Sequence, residues 1–159
     1  MSDSNHWRMV FIEVVEEVYR DLGFDPPVMT YDQASSLVME IDIDGTNYEV
    51  IHNPQANYES CVLEARLGKI DGFQVNEILL NLLAKNHEFA RQYRGCFAAD
   101  IKDDAILFIF SLPLEKLRGN AVLQVMRETS IAATDWRDIL AGLDRKIPMG
   151  AVTVSAALA

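Results

Sequence analysis

The dipeptide Asp44-Gly45 is the feature that most constrains the fold, because it predicts a tight β-hairpin. Both residue types tolerate the positive φ angles that a two-residue hairpin turn requires. Residues 36–43, before the turn, end in an alternation of apolar and acidic side chains, and residues 48–52 return after it. A chain with this pattern contains antiparallel strands with one buried and one solvated face.

The remaining elements follow from the turn residues and the period of the apolar side chains. Further strands are predicted over residues 58–67, 96–101 and 105–112, the last two joined by a second hairpin at 102–104. Three helices are predicted over residues 5–22, 73–92 and 114–140. The order α-β-β-β-α-β-β-α predicts an α+β fold, with an antiparallel sheet and helices packed on one face. The predicted domain covers residues 1–141, and residues 142–159 are expected to form a flexible C-terminal tail.

Charge and composition exclude several classes of protein. The chain has 159 residues, a formal net charge of -10 and a pI near 4.6. It lacks the basic surface that binding to nucleic acid requires. No apolar run approaches the ~20 residues that span a bilayer, and the first residues do not resemble a secretory signal. We therefore expect a cytoplasmic protein without membrane insertion, in which Cys61 and Cys96 are reduced, buried thiols.

The sequence contains no convincing catalytic or metal-binding constellation. The histidines, His6, His52 and His87, lack the spacing of a metal site on a helix. His52 follows a predicted strand and precedes Asn53-Pro54, so we expect it to be solvent-exposed. Glycine-rich phosphate-binding motifs and a nucleophile elbow are also missing from the sequence. We therefore predict a protein that is not an enzyme and that needs no cofactor or metal.

The unusual property of the chain is a surplus of apolar side chains. The first two predicted helices and the strand over residues 105–112 carry more of them than one small domain needs. One explanation is a core thicker than the simple sandwich suggests. The other is at least two protein interfaces, one of them with a second copy of the chain. The pattern alone does not separate these explanations.

The order of elements and several local motifs resemble the class I type III secretion chaperones of the Tir-chaperone (CesT-like) family. The resemblance covers about residues 6–141 and rests on these motifs: Asp21-Leu22-Gly23-Phe24 at the end of the first helix, Asp44-Gly45 in the first hairpin, NEILLNLLAKN at 76–86, the strand and bend of 105–117 with Leu112-Pro113-Leu114, and Ala132-x-x-x-Trp136 before Leu140. No single motif is specific, and the combination carries the likeness.

The resemblance implies a cytoplasmic, non-enzymatic homodimer built around the second helix. Such a dimer binds the N-terminal region of secreted effector proteins involved in virulence. It keeps this region soluble and export-competent and targets it to the secretion apparatus, with the secretion ATPase as a further partner. The effector is held in extended form and adds a strand to the sheet. The implied effector-binding candidates are Val10, Ile12, Val15, Tyr19, Leu37, Met39 and Ile41; the implied dimer-interface candidates are Leu79, Leu80, Leu83 and Ala84.

Two other functions compete with this expectation. A small-ligand-binding or catalytic α+β domain would be a monomer with a polar cluster in a pocket between sheet and helices. A general protein-interaction domain unrelated to secretion would share the fold and the apolar surface. The neighbourhood of the gene would distinguish the second alternative from a secretion chaperone.

Overall fold

The computed structural model describes residues 3–29, 35–69, 75–89 and 95–145. The predicted order of elements is confirmed. In chain order the elements are α1 (Asp3–Asp21), β1 (Leu37–Ile43), β2 (Thr46–His52), β3 (Ser60–Lys69), α2 (Val75–Phe89), β4 (Gly95–Asp100), β5 (Ala105–Pro113), a short 3-10 turn (Leu114–Lys116) and α3 (Gly119–Arg145).

The last helix differs most from its predicted bounds. Leu114 opens a 3-10 turn rather than the helix itself, because Leu117 is extended, with φ -70° and ψ 140°, and separates the turn from α3. At its other end α3 continues to Arg145, so residues 142–145, expected in the tail, are helical. Residues 146–159 lie outside the described residues, as do the predicted ends of the second helix at 73 and 92.

The five strands form one antiparallel sheet in the order β1-β2-β3-β5-β4. The hairpin between β1 and β2 turns through Asp44 and Gly45, whose φ angles are 51° and 73°. Positive φ at both central residues is typical of a type I′ turn, which confirms the prediction from this dipeptide. The strand order makes β1 and β4 the two edges of the sheet.

The two faces of the sheet have different surroundings. Along β2 every second side chain is buried, from Thr46 to His52, and the side chains between them are only half-buried. The buried face, called here the inner face, packs against α1, α2 and α3 to form the core. The opposite face is called the outer face. This arrangement confirms the predicted α+β sandwich.

Two polar contacts fix α3 in place. The Tyr48 hydroxyl, on the inner face of β2, donates to the Met126 carbonyl oxygen at 2.8 Å. At the start of α3, the Gly119 N–H donates to Glu17 Oε2 of α1 at 2.7 Å. A carboxylate at a helix N-terminus satisfies a main-chain donor that has no partner within the helix. The helix α3 therefore lies against both α1 and the sheet.

Candidate functional site

The candidate effector-binding residues divide into two groups by burial. Five of them lie in the core of the single chain: Ile12, Val15, Tyr19, Met39 and Ile41. Val10 and Leu37 are only partly buried and pack against the margin of the core. An incoming partner reaches Val10 and Leu37 without unpacking the fold, whereas contact with the other five requires rearrangement.

The candidate dimer residues form an exposed apolar strip on α2. Leu80 and Leu83 are 68% and 63% exposed, Ala84 is exposed and Leu79 is half-buried. We call Leu79, Leu80, Leu83 and Ala84 the α2 face. The helix is anchored from its other side, where Ile78 and Leu82 are buried in the core. Two neighbouring leucines with most of their surface in water are costly to leave uncovered.

One edge of the sheet offers main-chain groups for pairing. In a two-residue hairpin the flanking residues, here Ile43 and Thr46, form a hydrogen-bonded pair, and such pairs alternate along the strands. The N–H and C=O groups of Val38, Glu40 and Asp42 therefore point away from β2. We call these groups the β1 edge. Among the described residues, no side chain bonds to the main chain at these three positions.

Three glutamates form a row across the outer face beside this edge. Glu40 pairs with Glu49, and Glu49 pairs in turn with Glu64. Like charges in directly opposed cross-strand positions destabilise a sheet. Burial, followed by the charge of Glu49, raises the pKa of Glu64, while Arg66 acts in the opposite direction. The row therefore gives the surface next to the β1 edge a concentrated negative charge.

We expect Glu64→Gln to stabilise the protein by roughly 0.5–1 kcal/mol at pH 7, because it removes one member of the like-charged row. The raised pKa makes the folded state bind a proton more tightly than the unfolded state. The loss of stability caused by the ionised Glu64 side chain therefore grows as pH rises through the folded-state pKa. It is absent below about 4.3, the ordinary pKa of glutamate. Urea unfolding at pH 7 and near pH 4 should show the stabilisation only at pH 7.

Glu13→Gln is the control for this measurement, because Glu13 is exposed on α1 and lies outside the row. It should leave the free energy of unfolding within about 0.5 kcal/mol of wild type. Equal stabilisation by both variants would mean that the overall charge of -10, rather than the row, is responsible.

A buried basic pair lies where α1 meets the start of β1 and the end of β2. Arg8 and His52 are both fully buried, so the expectation that His52 is solvent-exposed is wrong. His52 Nε2 lies 3.0 Å from the Tyr58 carbonyl oxygen, and the ring stacks on Phe11 at 5.2 Å. Burial lowers the pKa of His52; the bond to Tyr58 opposes this effect and the Arg8 charge adds to it. The Arg8 guanidinium donates to the Ser35 carbonyl, which ties α1 to the segment before β1.

The cysteines have contrasting environments. Burial raises the pKa of the Cys61 thiol to about 12, so it stays neutral and is a poor nucleophile. Cys96 is exposed on the outer face, and its predicted burial is wrong because β4 alternates and places Phe97 inward instead. Among the described residues no group of three His, Cys, Asp or Glu side chains could hold a metal ion. Within that same part of the chain, no helix combines the length and apolar character needed to cross a membrane.

The arrangement is that of a binding protein: an open strand edge, a charged row beside it and an exposed apolar helix face. The sequence pattern gave no role to Arg8, which bonds to the Ser35 carbonyl, or to Asn86, which bonds to the main chain of Phe97 in β4. Both positions depend on tertiary contacts. His52 was accessible to pattern reasoning, since it follows Tyr48 and Val50 at intervals of two residues on the inner face.

Comparison with solved structures gives several similar chains, three of which come from complexes of two proteins. The first comes from the crystal structure of the ExsC–ExsE complex, with a TM-score of 0.66 and 16% identity over 84% of this chain and 95% of that chain. The second comes from the HopA1–SchA chaperone–effector complex, with a TM-score of 0.63 and 19% identity over 82% and 94%. The third comes from the heterodimeric ExoU–SpcU complex of the type III secretion system of Pseudomonas aeruginosa, with a TM-score of 0.50 and 13% identity over 71% and 86%. At these identities the likeness establishes the fold.

Sequence comparison establishes the family. No curated protein sequence matches the chain. The model of one family matches residues 13–137, which is most of the chain and spans every strand of the sheet. The chain therefore belongs to the Tir chaperone protein (CesT) family.

Proposed function

We propose that the protein is a cytoplasmic type III secretion chaperone that acts as a homodimer. It binds the N-terminal region of one or more secreted effectors, called here the client, keeps it soluble and export-competent, and targets it to the secretion apparatus. Membership of the Tir chaperone family supports this function. Solved complexes of similar fold, one of them the HopA1–SchA chaperone–effector complex, support it further. The activity is binding, and the chain's own residues catalyse no step.

The open β1 edge is the observation that carries the proposal. An extended client segment pairs its main chain with the N–H and C=O groups of Val38, Glu40 and Asp42, which gives affinity that depends little on client sequence. Side chains on the inner side of the added strand meet the partly buried Val10 and Leu37 at the margin of the core. Selectivity then comes from how well the client side chains fit this margin on the inner side and the row of Glu40, Glu49 and Glu64 on the outer face.

The α2 face supports the homodimer. Among the α2 side chains whose exposure is described, its leucines Leu80 and Leu83 are the largest apolar ones that the fold of one chain leaves uncovered. A two-fold dimer buries the same surface from both copies, so one self-complementary strip on a helix is sufficient. The anchoring of α2 through Ile78 and Leu82 holds this strip in place before association.

The direct test is to purify the tagged protein gently from its own host, identify its companions and weigh the complex by light scattering. We expect a dimer carrying a secreted protein, and loss of that companion when its N-terminal segment is deleted. A monomer without a protein companion would contradict the proposal and favour the small-ligand alternative.

We expect Glu40→Pro to weaken client binding by at least about tenfold while leaving the fold intact. Proline removes the N–H of residue 40, which points to the client side, and edge strands tolerate proline at such positions. Losing one main-chain hydrogen bond and obstructing the strand edge costs on the order of 1.5 kcal/mol or more of binding free energy. Titration calorimetry with the N-terminal segment of the identified client measures the effect.

Glu40→Ala is the matched control, because it removes the same carboxylate but keeps the main-chain donor. It should bind the client much more tightly than Glu40→Pro. Equal affinities for the two variants would exclude pairing at the β1 edge. A thermal melt of each variant checks that the comparison is made between folded proteins.

A further inference from the structure

The second edge of the sheet, at β4, differs from the β1 edge in one contact. The side-chain amide of Asn86, on α2, bonds twice to the main chain of Phe97 in the middle of β4. Its Oδ1 accepts from the Phe97 N–H at 2.6 Å, and its Nδ2 donates to the Phe97 carbonyl oxygen at 3.0 Å. A primary amide matches both groups in the way that a neighbouring strand would.

These two bonds establish the direction of the main-chain groups along β4. Phe97 lies opposite Phe108 of β5, but its N–H and C=O are used by Asn86 and so point away from β5. Because the direction alternates along an antiparallel strand, the groups of Gly95 and Ala99 also point outward. Asn86 therefore occupies the central one of the three outward positions on a strand of six residues.

The position of Asn86 follows from the packing of α2. Leu82, one helical turn earlier, is buried in the core, so the same side of the helix carries residue 86 towards β4. Leu80 and Leu83 of the α2 face are exposed instead and lie away from the buried side of the helix. The helix α2 thus carries both Asn86, which occupies the β4 edge, and the α2 face, which suits contact with a second copy of the chain.

We propose that Asn86 closes the β4 edge to strand addition, so that the client strand adds at β1 alone and copies of the chain do not pair edge to edge. A strand arriving at β4 would have to displace the amide and lose both of its bonds before gaining its own at Phe97. Exposed edges without such protection are templates for unwanted pairing. The client part of this inference rests on the proposed function; the closed edge itself does not.

The first measurement uses the client-free protein and needs no knowledge of the client. In Asn86→Ala we expect the Phe97 amide to exchange its hydrogen at least about tenfold faster than in wild type. Asn81→Ala is the matched control, since Asn81 is on the same helix and, among the described residues, its side chain bonds to the Glu77 carbonyl of its own helix at 3.0 Å and not to β4. It should leave the exchange of Phe97 unchanged.

The second measurement is sedimentation velocity over a range of concentrations. We expect Asn86→Ala, and not Asn81→Ala, to form species larger than wild type as concentration rises, because its β4 edge is open. With the N-terminal segment of the identified client, Asn86→Ala should bind more than one segment per chain, and wild type one.

Asn86→Asp keeps the size of the side chain and provides the readouts of assembly and client stoichiometry if the alanine variant does not fold. Aspartate still accepts from the Phe97 N–H but cannot donate to its carbonyl, so assembly should increase while the amide stays protected. Wild-type exchange and wild-type assembly in the folded variants would overturn the inference. Failure of any client to bind, together with faster exchange and larger assemblies in Asn86→Ala, would instead reject the proposed function and retain the closed edge.

Discussion

Replacing Leu80 and Leu83 together by aspartate should convert the protein from a dimer into a folded monomer. Both side chains are largely exposed in the single chain, at 68% and 63%, so the carboxylates stay in water and the fold is kept. In a two-fold dimer built on the α2 face, four carboxylates would be brought together and desolvated without partners. We expect the dissociation constant of the dimer to rise by at least about 100-fold, or roughly 3 kcal/mol. Light scattering gives the mass, and a thermal melt reports the fold.

Asn81→Asp is the control for this experiment. It adds a negative charge to an exposed position on α2 that lies outside the α2 face, and it should remain dimeric. A wild-type protein that is monomeric at every concentration would remove the homodimer from the proposal. A double variant that remains dimeric would move the interface to another surface.

The double variant at Leu80 and Leu83 also separates the two roles proposed for α2, which are dimer formation and protection of the β4 edge. Leu80 and Leu83 do not bond to β4, so their substitution leaves the Asn86 amide on Phe97 in place. The monomeric variant should therefore keep slow exchange at Phe97 and still add a client strand at the β1 edge. Its affinity for a client long enough to contact both protomers should fall, because one of two linked binding events is lost.

The fold was predictable because the deciding signals are local. Asp44-Gly45 fixes one hairpin, and alternation on either side of it fixes which side chains face inward. The bend predicted at Leu112-Pro113-Leu114 lies later in the structure, because Leu112 and Pro113 still pair with β3 and only Leu114 leaves the strand. The helix after it also begins later than predicted. Boundaries moved by a few residues, since a 3-10 turn of three residues is too short for its period to be told from that of an α-helix.

Which apolar residues of the helices are buried and which are exposed could not be predicted from local signals. The apolar arc of α1 is wide because α1 is covered by α3 as well as by the sheet, which buries Ile12, Val15 and Tyr19. On α2 a similar surplus stays exposed at Leu80 and Leu83. The difference depends on which helices are neighbours in the fold. The spacing of apolar side chains along one sequence does not reveal this. The contact between Asn86 and Phe97 has the same tertiary origin.

The close packing of α3 against α1 at Gly119 leads to the largest expected loss of stability. A Cβ atom added at Gly119 would lie 2.6 Å from Glu17 Cβ and 2.7 Å from the Val18 main-chain nitrogen. Neither atom can move without moving α1 itself, and the bond from Gly119 N–H to Glu17 Oε2 would be lost when the helices separate. We expect Gly119→Ala to cost about 3 kcal/mol, from overpacking of about 2 kcal/mol and the loss of a charged cap of about 1 kcal/mol.

Such a loss corresponds to a fall in Tm of roughly 6–12 °C for a chain of this size, which calorimetry or a thermal melt resolves easily. Two controls isolate the cause. Gly23→Ala introduces a side chain at φ +81° with no atom within 4 Å, so it should cost only the ~1 kcal/mol of an unfavourable backbone conformation. Asn120→Ala alters the exposed neighbour of Gly119 and should stay within about 0.5 kcal/mol of wild type. A Gly119→Ala protein as stable as Asn120→Ala would mean that α1 and α3 are farther apart at Gly119 in solution.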